Sequence, residues 1–447
     1  MSIPSPVSFR SALRFWLKLG FISFGGPAGQ IAIMHRELVE QKRWISEKRF
    51  LHALNYCMVL PGPEAQQLAT YIGWLMHGTW GGIVAGALFV LPSLGILILL
   101  SWIYVVFGSV PVIAGILYGI KPAVTAIVLA AAWRIGGKAL KNVWLWAIAV
   151  SAFVAIFIGN IPFPAIILSA GLLGVIGGRL APAKFVAGGG HSAEALGDAD
   201  AILGDNAPTP LHARFRLSRT LLYVAIGSGL WIVAMALLAA HSGLDGTLAQ
   251  MGWFFTKAAL LTFGGAYAVL PYVFQGAVEN YQWLTAQQMI DGLALGETTP
   301  GPLIIVVAFV GFIGGWTKAV LGPDMLFGGA ALAASVVTFF TFLPSFLFIL
   351  IGGPLVEATH GQLKFTAPLT AITAAVVGVI VSLAVFFAWH VWWPTATGDA
   401  PFSGVIEWFS MLLTIGAAIA LMRYKVNVMV VIAVCGALGA AKTLLPA

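Results

Sequence analysis

The chain has 447 residues, of which 60% are hydrophobic and 9% charged, with a mean hydropathy of +0.96 and a net charge of +7. This much apolar surface is more than a soluble domain can hide, so the composition excludes a soluble enzyme and points to a polytopic membrane protein. The basic residues form short clusters beside apolar runs rather than a continuous stripe, which reads as membrane topology and not as a nucleic-acid surface.

From the N-terminus, Arg10, Arg14 and Lys18 lead into an apolar stretch over 15–34 that is cut by Gly25-Gly26-Pro27. No small-residue cleavage site follows, so no removable signal peptide is expected. A second interrupted stretch, 52–76, contains Pro61-Gly62-Pro63. Unbroken apolar runs at 80–108, 112–134, 142–159 and 161–179 are each near the length needed to cross a bilayer. The polar segment 181–219, with Gly188-Gly189-Gly190 and a Pro-rich patch at 207–210, reads as a disordered cytoplasmic linker. Its His191, Glu194, Asp198, Asp200 and Asp205 read as a solvated loop rather than metal ligands. A connecting transmembrane helix is expected over 220–240, then interrupted stretches at 251–274 and 290–314, then runs at 326–352, 366–390, 406–422 and 427–445. The expected division is a first repeat over 1–180, the linker, the connecting helix, and a second repeat over 241–447. Cys57 and Cys435 both lie in apolar surroundings, so no disulfide or thiolate metal site is indicated, and no cofactor is expected.

The two halves carry one block twice. Phe24-Gly25-Gly26, Glu40, Trp44 and Pro61-Gly62-Pro63 recur without a gap as Phe263-Gly264-Gly265, Glu279, Trp283 and Pro300-Gly301-Pro302, each pair 239 positions apart. A Pro-Gly-Pro triplet removes two backbone donors and disfavours helix just before each proline, so the four interrupted stretches should be broken or re-entrant helices. The loop after the first break holds Arg36, Lys42, Arg43, Lys48 and Arg49, and the repeat places Gln275, Tyr281, Gln282, Gln287 and Gln288 there. Because cytoplasmic loops collect Lys and Arg, the halves should face opposite ways. The predicted fold is thus an all-α polytopic membrane protein built from inverted-topology repeats, a transporter architecture with its site where the repeats meet. The N-terminus should be cytoplasmic and the C-terminus outside.

Each arm of a broken stretch reaches roughly halfway through the hydrocarbon at about 1.5 Å per residue, which places the breaks near the midplane. Helix N-termini there present unpaired N–H groups and partial positive charge to an anion, and glycines let its oxygens approach the backbone. The alternative is that these glycines serve helix packing and the prolines only kink. Gln30, Gln66 and Gln67 are candidate neutral hydrogen-bonding groups for an oxyanion. Lys121, deep in the 112–134 run, is a candidate anion ligand, with a structural ion pair as the alternative. Glu64 and Glu297, beside the two triplets, are candidates for binding a coupling proton or for balancing Lys18, Lys257 or Lys121; a first-turn cap is the plainer role for Glu64.

Phe24-Gly25-Gly26-Pro27-Ala28-Gly29-Gln30, Leu60-Pro61-Gly62-Pro63-Glu64-Ala65-Gln66-Gln67-Leu68-Ala69 and Gly119-Ile120-Lys121-Pro122-Ala123-Val124 resemble signatures of the chromate ion transporter family, long two-domain type. The resemblance covers nearly the whole chain outside the linker. It implies a bacterial inner-membrane exporter of chromate that confers chromate resistance, with antiparallel halves. The second half departs from the pattern: Gly265 is followed by Ala266-Tyr267, and Leu303 stands where Glu64 would be, so its site is not equivalent. Relatives that carry sulfate leave the oxyanion open. The chain lacks a phosphate-binding G-x-x-x-x-G-K-[ST] loop. Moving a dianion outward at 100 mV, inside negative, releases about 4.6 kcal/mol without ATP. Oxyanion uptake or exchange and a passive anion channel remain alternatives; a membrane enzyme lacks the acidic motif it needs. The sequence leaves monomer and homodimer open.

Overall fold

The computed structural model describes residues 7–185, 201–204, 210–359, 366–395 and 404–444. The first repeat contains α1 (Phe9–Ile22), α2 (Gly26–His35), α3 (Glu47–Val59), α4 (Glu64–Phe107), α5 (Pro111–Ala139), α6 (Val143–Phe157) and α7 (Phe163–Leu180). Helix α8 (Leu217–Ser242) connects it to α9 (Thr247–Leu260), α10 (Ala266–Phe274), α11 (Ala286–Thr298), α12 (Val306–Thr317), α13 (Leu326–Thr359), α14 (Thr366–Trp392), α15 (Trp408–Met422) and α16 (Val428–Leu444). Among the described residues, six helical segments are long and apolar enough to cross a membrane. The protein is an all-α polytopic membrane protein.

The repeat extends to fine local structure. Single π-helical turns occupy Arg36–Gln41 and Gln275–Asn280, and the left-handed residues Arg43 and Gln282, both at φ 50°, follow at matched positions. Helices α3 and α11 begin at matched caps: Ser46 accepts from the Arg49 N–H, and Thr285 forms a reciprocal capping box with Gln288.

Both broken stretches of the first repeat fold back on themselves. The loop after α2 returns to the middle of α1, where Lys18 meets Glu37 at 3.2 Å and the Phe15 and Trp44 rings lie 5.4 Å apart. Helix α4 breaks at His77 and Gly78, and His77 Nε2 sits 2.8 Å from the Val7 carbonyl beside the start of α1. Both hairpins therefore open on the same face. In the second repeat Trp283 packs 5.7 Å from Phe254 of α9, the same closure. Helix α8 fixes how the repeats are related. Near its start the Tyr223 hydroxyl bonds Thr79 at 2.6 Å, and near its end His241 lies 3.5 Å from the Val320 carbonyl, at the corresponding edge of the second repeat. Its 26 residues span about 39 Å, more than the roughly 30 Å of hydrocarbon. The two hairpin mouths thus open on opposite faces, as inverted repeats require.

The repeats also exchange packing partners. Helix α5 lies against α15 and α16 of the second repeat, and its counterpart α14 lies against α6 and α7 of the first. Close approach needs small residues: a Cβ on Gly119 would stand 2.9 Å from the Gly439 Cα. Of the 181–219 segment, 186–200 and 205–209, with the five residues weighed as metal ligands, lie outside the described residues. Two pieces that are described dock on the first repeat. Ile202 and Leu203 donate to the Arg43 and Trp44 carbonyls, and His212 Nε2 lies 2.9 Å from the Trp74 carbonyl.

Gln41 and Asn280 are matched, exposed positions, and both native cysteines are buried. In sealed cells, a membrane-impermeant thiol reagent should label Gln41→Cys and Asn280→Cys from opposite faces.

Candidate functional site

The four breaks meet. Each Pro-Gly-Pro leaves a single backbone donor between its prolines, and each donor crosses to the other repeat. The Gly62 N–H bonds the Thr262 carbonyl at 2.7 Å, and the Gly301 N–H bonds the Ser23 carbonyl at 2.8 Å. Ser23 and Thr262 are themselves matched, so the exchange has two-fold character. A second pair of contacts follows the same rule. The Ser93 hydroxyl of α4 donates to the Pro300 carbonyl at 2.5 Å, and Ser345 Oγ of α13 stands 2.5 Å from where a Cβ on Gly62 would lie. A Cβ on Gly301 would collide with Ser93. Gly62 at φ 128° and Gly301 at φ 97° are thus held to glycine by backbone conformation and by contact.

The Gly-Gly breaks are different. Gly25, Gly26, Gly264 and Gly265 have φ of 88°, 69°, 81° and 93°, and a Cβ on Gly26, Gly264 or Gly265 would meet nothing within 4 Å. These three serve the backbone turn rather than helix packing. Beyond them, α2 and α10 start with first-turn N–H groups that have no intrahelical acceptor; in α2 these belong to Gly26, Ala28 and Gly29, with Pro27 supplying none. Phe24, Gly25 and Ala28 are exposed, so the α2 terminus is open. At α10, Ala266 and Tyr267 are buried, and the Tyr267 hydroxyl donates to Glu297. Open and covered helix starts therefore face each other across a two-fold scaffold.

A family model described as chromate transporter matches residues 10–175 and 249–440. The chain belongs to the chromate transporter family. It is 37% identical over 383 residues to a chromate transport protein of Pseudomonas aeruginosa, covering 85% of this chain and 81% of that protein. It is 30% identical to the chromate transport protein of Cupriavidus metallidurans over 85% of this chain and 83% of that one. The uncharacterized transporter YwrB of Bacillus subtilis is 29% identical over 151 residues, 34% of this chain and 76% of its own length. No solved structure matches the chain.

In this chromate transporter family member the crossing gathers Gly25, Gly26, Pro27 and Gln30 with Pro300, Gly301 and Pro302, and Pro61, Gly62, Pro63, Glu64, Gln66 and Gln67 with the segment carrying Gly264 and Gly265. Several of the candidate side chains have protein partners in the structure. Gln30 Nε2 donates to the Gly301 and Ser23 carbonyls at 2.5 and 3.3 Å, Gln67 Nε2 to the Pro61 carbonyl at 2.8 Å, and Gln66 Nε2 to Thr70 at 3.0 Å. Gln30 spends both of its N–H donors on carbonyls of the breaks, whereas Gln66 and Gln67 each place one of two donors, and the three amide oxygens have no partner among the described residues. Gln30 and Gln67 brace the breaks, and Gln66 bonds within α4. Lys121 forms the ion pair that was its alternative role, 3.4 Å from Asp291, which also accepts from Tyr104 at 3.0 Å. Asp291 lies nine residues before Pro300, about 13 Å along α11, so this cation is committed away from the breaks. Among the described residues neither Glu64 nor Glu297 is paired with a lysine: Lys18 binds Glu37, and Lys257 lies over the Trp253 ring at 5.8 Å. Glu64 occupies the first turn of α4 with no hydrogen bond or ion pair among the described residues.

Sequence reasoning missed Ser93, Ser345, Tyr267 and Asp291. The serines had a signal, Leu91-Pro92-Ser93 and Leu343-Pro344-Ser345, hidden because their spacing differs from that of the main block.

Lys121→Ala should strand the Asp291 carboxylate and cost roughly 3–5 kcal/mol in unfolding experiments in detergent, with Lys121→Met/Asp291→Asn recovering most of it. Gly26→Ala and Gly301→Ala each strain a left-handed backbone by about 1–2 kcal/mol. Gly301→Ala should lower the unfolding midpoint further because of Ser93.

Proposed function

We propose that the protein is a secondary transporter that exports chromate across the bacterial inner membrane and so confers chromate resistance. The observation that carries this reading is the exposed start of α2 at the crossing, where a positive helix terminus follows a glycine pair with no side chains to keep a tetrahedral dianion from the backbone. The named activities of the relatives support chromate as cargo. Backbone donors hold sulfate by the same bonds, so the seat itself discriminates weakly between the two.

The first repeat's mouth faces the cytoplasm in this reading, because its loop carries Arg36, Lys42, Arg43, Lys48 and Arg49 and the second repeat's matched loop carries none. The N-terminus is then cytoplasmic and the C-terminus periplasmic. An inside-negative potential drives the dianion out. Glu64, one turn from the crossing and unpaired, is the group placed to bind a coupling proton. Glu297 is held by Tyr267 and plays no such part unless that contact opens.

In sealed vesicles, labelled chromate should move toward the positive side under an imposed potential, with saturable flux that a counter-gradient of chromate accelerates. Flux that never saturates would mean a channel. Glu64→Gln should abolish flux driven by a pH gradient and keep at least half of that driven by potential; equal loss of both would make Glu64 structural.

A further inference from the structure

Along the N-terminal part of α1 lies a cavity of about 320 Å³ lined by Arg10, Arg14, Lys18 and Lys42 over a floor of Phe15 and Trp44. Arg10, Arg14 and Lys18 are spaced four apart, so they form one row rising about 6 Å per step along α1 toward Ser23 and the first break. The only carboxylate paired with any of the four, among the described residues, is Glu37, which takes Lys18 at 3.2 Å and Lys42 at 3.7 Å. Four cations against one acid leave an excess of positive charge in a concave site, the condition for concentrating an anion.

The matched place in the second repeat has been converted to something else. Ala249, Trp253 and Tyr281 stand where Arg10, Arg14 and Lys42 would be, and only Lys257 keeps its charge. Tyr281 stacks on Trp283 with ring centres 4.6 Å apart and packs edge-on against Phe254, so aromatic rings fill the space. One repeat has a cationic cavity at its mouth, and the other an aromatic plug.

We propose that the Arg10–Arg14–Lys18–Lys42 cavity is a one-sided capture site for a free, doubly charged tetrahedral oxyanion, which it delivers along α1 to the break. This rests on the transport reading above. It deepens that reading by placing high-affinity loading on the first repeat's face alone. A phospholipid phosphate is the competing source of the same chemistry, since the neighbouring row Phe9, Leu13, Leu17 and Phe21 is exposed for lipid contact. The row of cations ending at the break favours the mobile anion.

The test uses the full chain and an Arg10→Gln/Arg14→Gln variant in membrane vesicles of both orientations, with labelled chromate. For chromate presented to the first repeat's face, the variant's KM should rise about tenfold at low salt, and the gap should shrink at about 0.5 M salt because exposed charges are screened. KM from the other face should change less than about twofold. Arg10→Lys/Arg14→Lys should restore most of the loss, showing that charge and not packing is read. An unchanged KM, or an equal rise on both faces, overturns the proposal. So does a native protein whose low KM requires anionic lipid and disappears in vesicles of phosphatidylcholine alone. Equilibrium dialysis of the purified chain with labelled chromate separates this from the transport reading. Salt-sensitive binding lost in the glutamine variant supports the capture site even if no flux is found, and binding identical in both proteins overturns it.

Discussion

Two backbone hydrogen bonds, Gly62 to Thr262 and Gly301 to Ser23, make the interrupted helices tolerable inside a bilayer. An unpaired amide in hydrocarbon costs several kcal/mol, so a broken helix is permitted only where another part of the protein supplies the missing partners. Pro-Gly-Pro keeps that debt small, since two of its three residues have no donor. The single remaining N–H is met by the carbonyl of a residue that itself sits at a break. Neither repeat can close its own gap, so the two must fold against each other. Ser93 and Ser345 crowd the same two glycines from the flanking long helices, and Gln30 and Gln67 tie off carbonyls of the breaks. The backbone at the centre is thus tied across the two repeats, while Glu64 and the Gln30, Gln66 and Gln67 amide oxygens there have no partner among the described residues.

That symmetric frame holds an asymmetric pair of helix starts. At α2 the glycine pair is followed by proline and alanine and stays open, whereas at α10 the tyrosine in alanine's place turns inward and caps Glu297. The first α4 turn carries Glu64, and the matched position is Leu303. The mouths diverge in the same sense, with cations on one face and stacked aromatics on the other. Sequence divergence has worked on what the ends of the breaks present, while the glycines and prolines that make the breaks stayed in register. A transporter that must treat its two faces differently gains by this division.

Much of the frame was legible because Gly and Pro act locally: each forbids or permits a backbone conformation where it stands, and four such signals in two matched sets located all four breaks. Charge in the loops after them carried the inversion, since those loops differ in five basic residues and little else about their position. What could not be read is what depends on distance through space. Lys121 has no sequence relation to Asp291, so its partner was invisible and its charge looked available. The glutamines were recognised as polar groups at the breaks, but the acceptor of Gln30 is the Gly301 carbonyl, 271 positions away. The exchange of α5 and α14 between repeats rests on small residues such as Gly119 and Gly439, which look like ordinary glycines in an apolar run.

The central claim is that the anion sits on the open start of α2. Chromium scatters anomalously, so an anomalous difference map from crystals grown with chromate locates the metal of the cargo directly. The account predicts a peak within hydrogen-bonding reach, through its oxygens, of the amides of Gly26, Ala28 and Gly29. A peak beside Lys121 and Asp291, or at the covered start of α10, would contradict it.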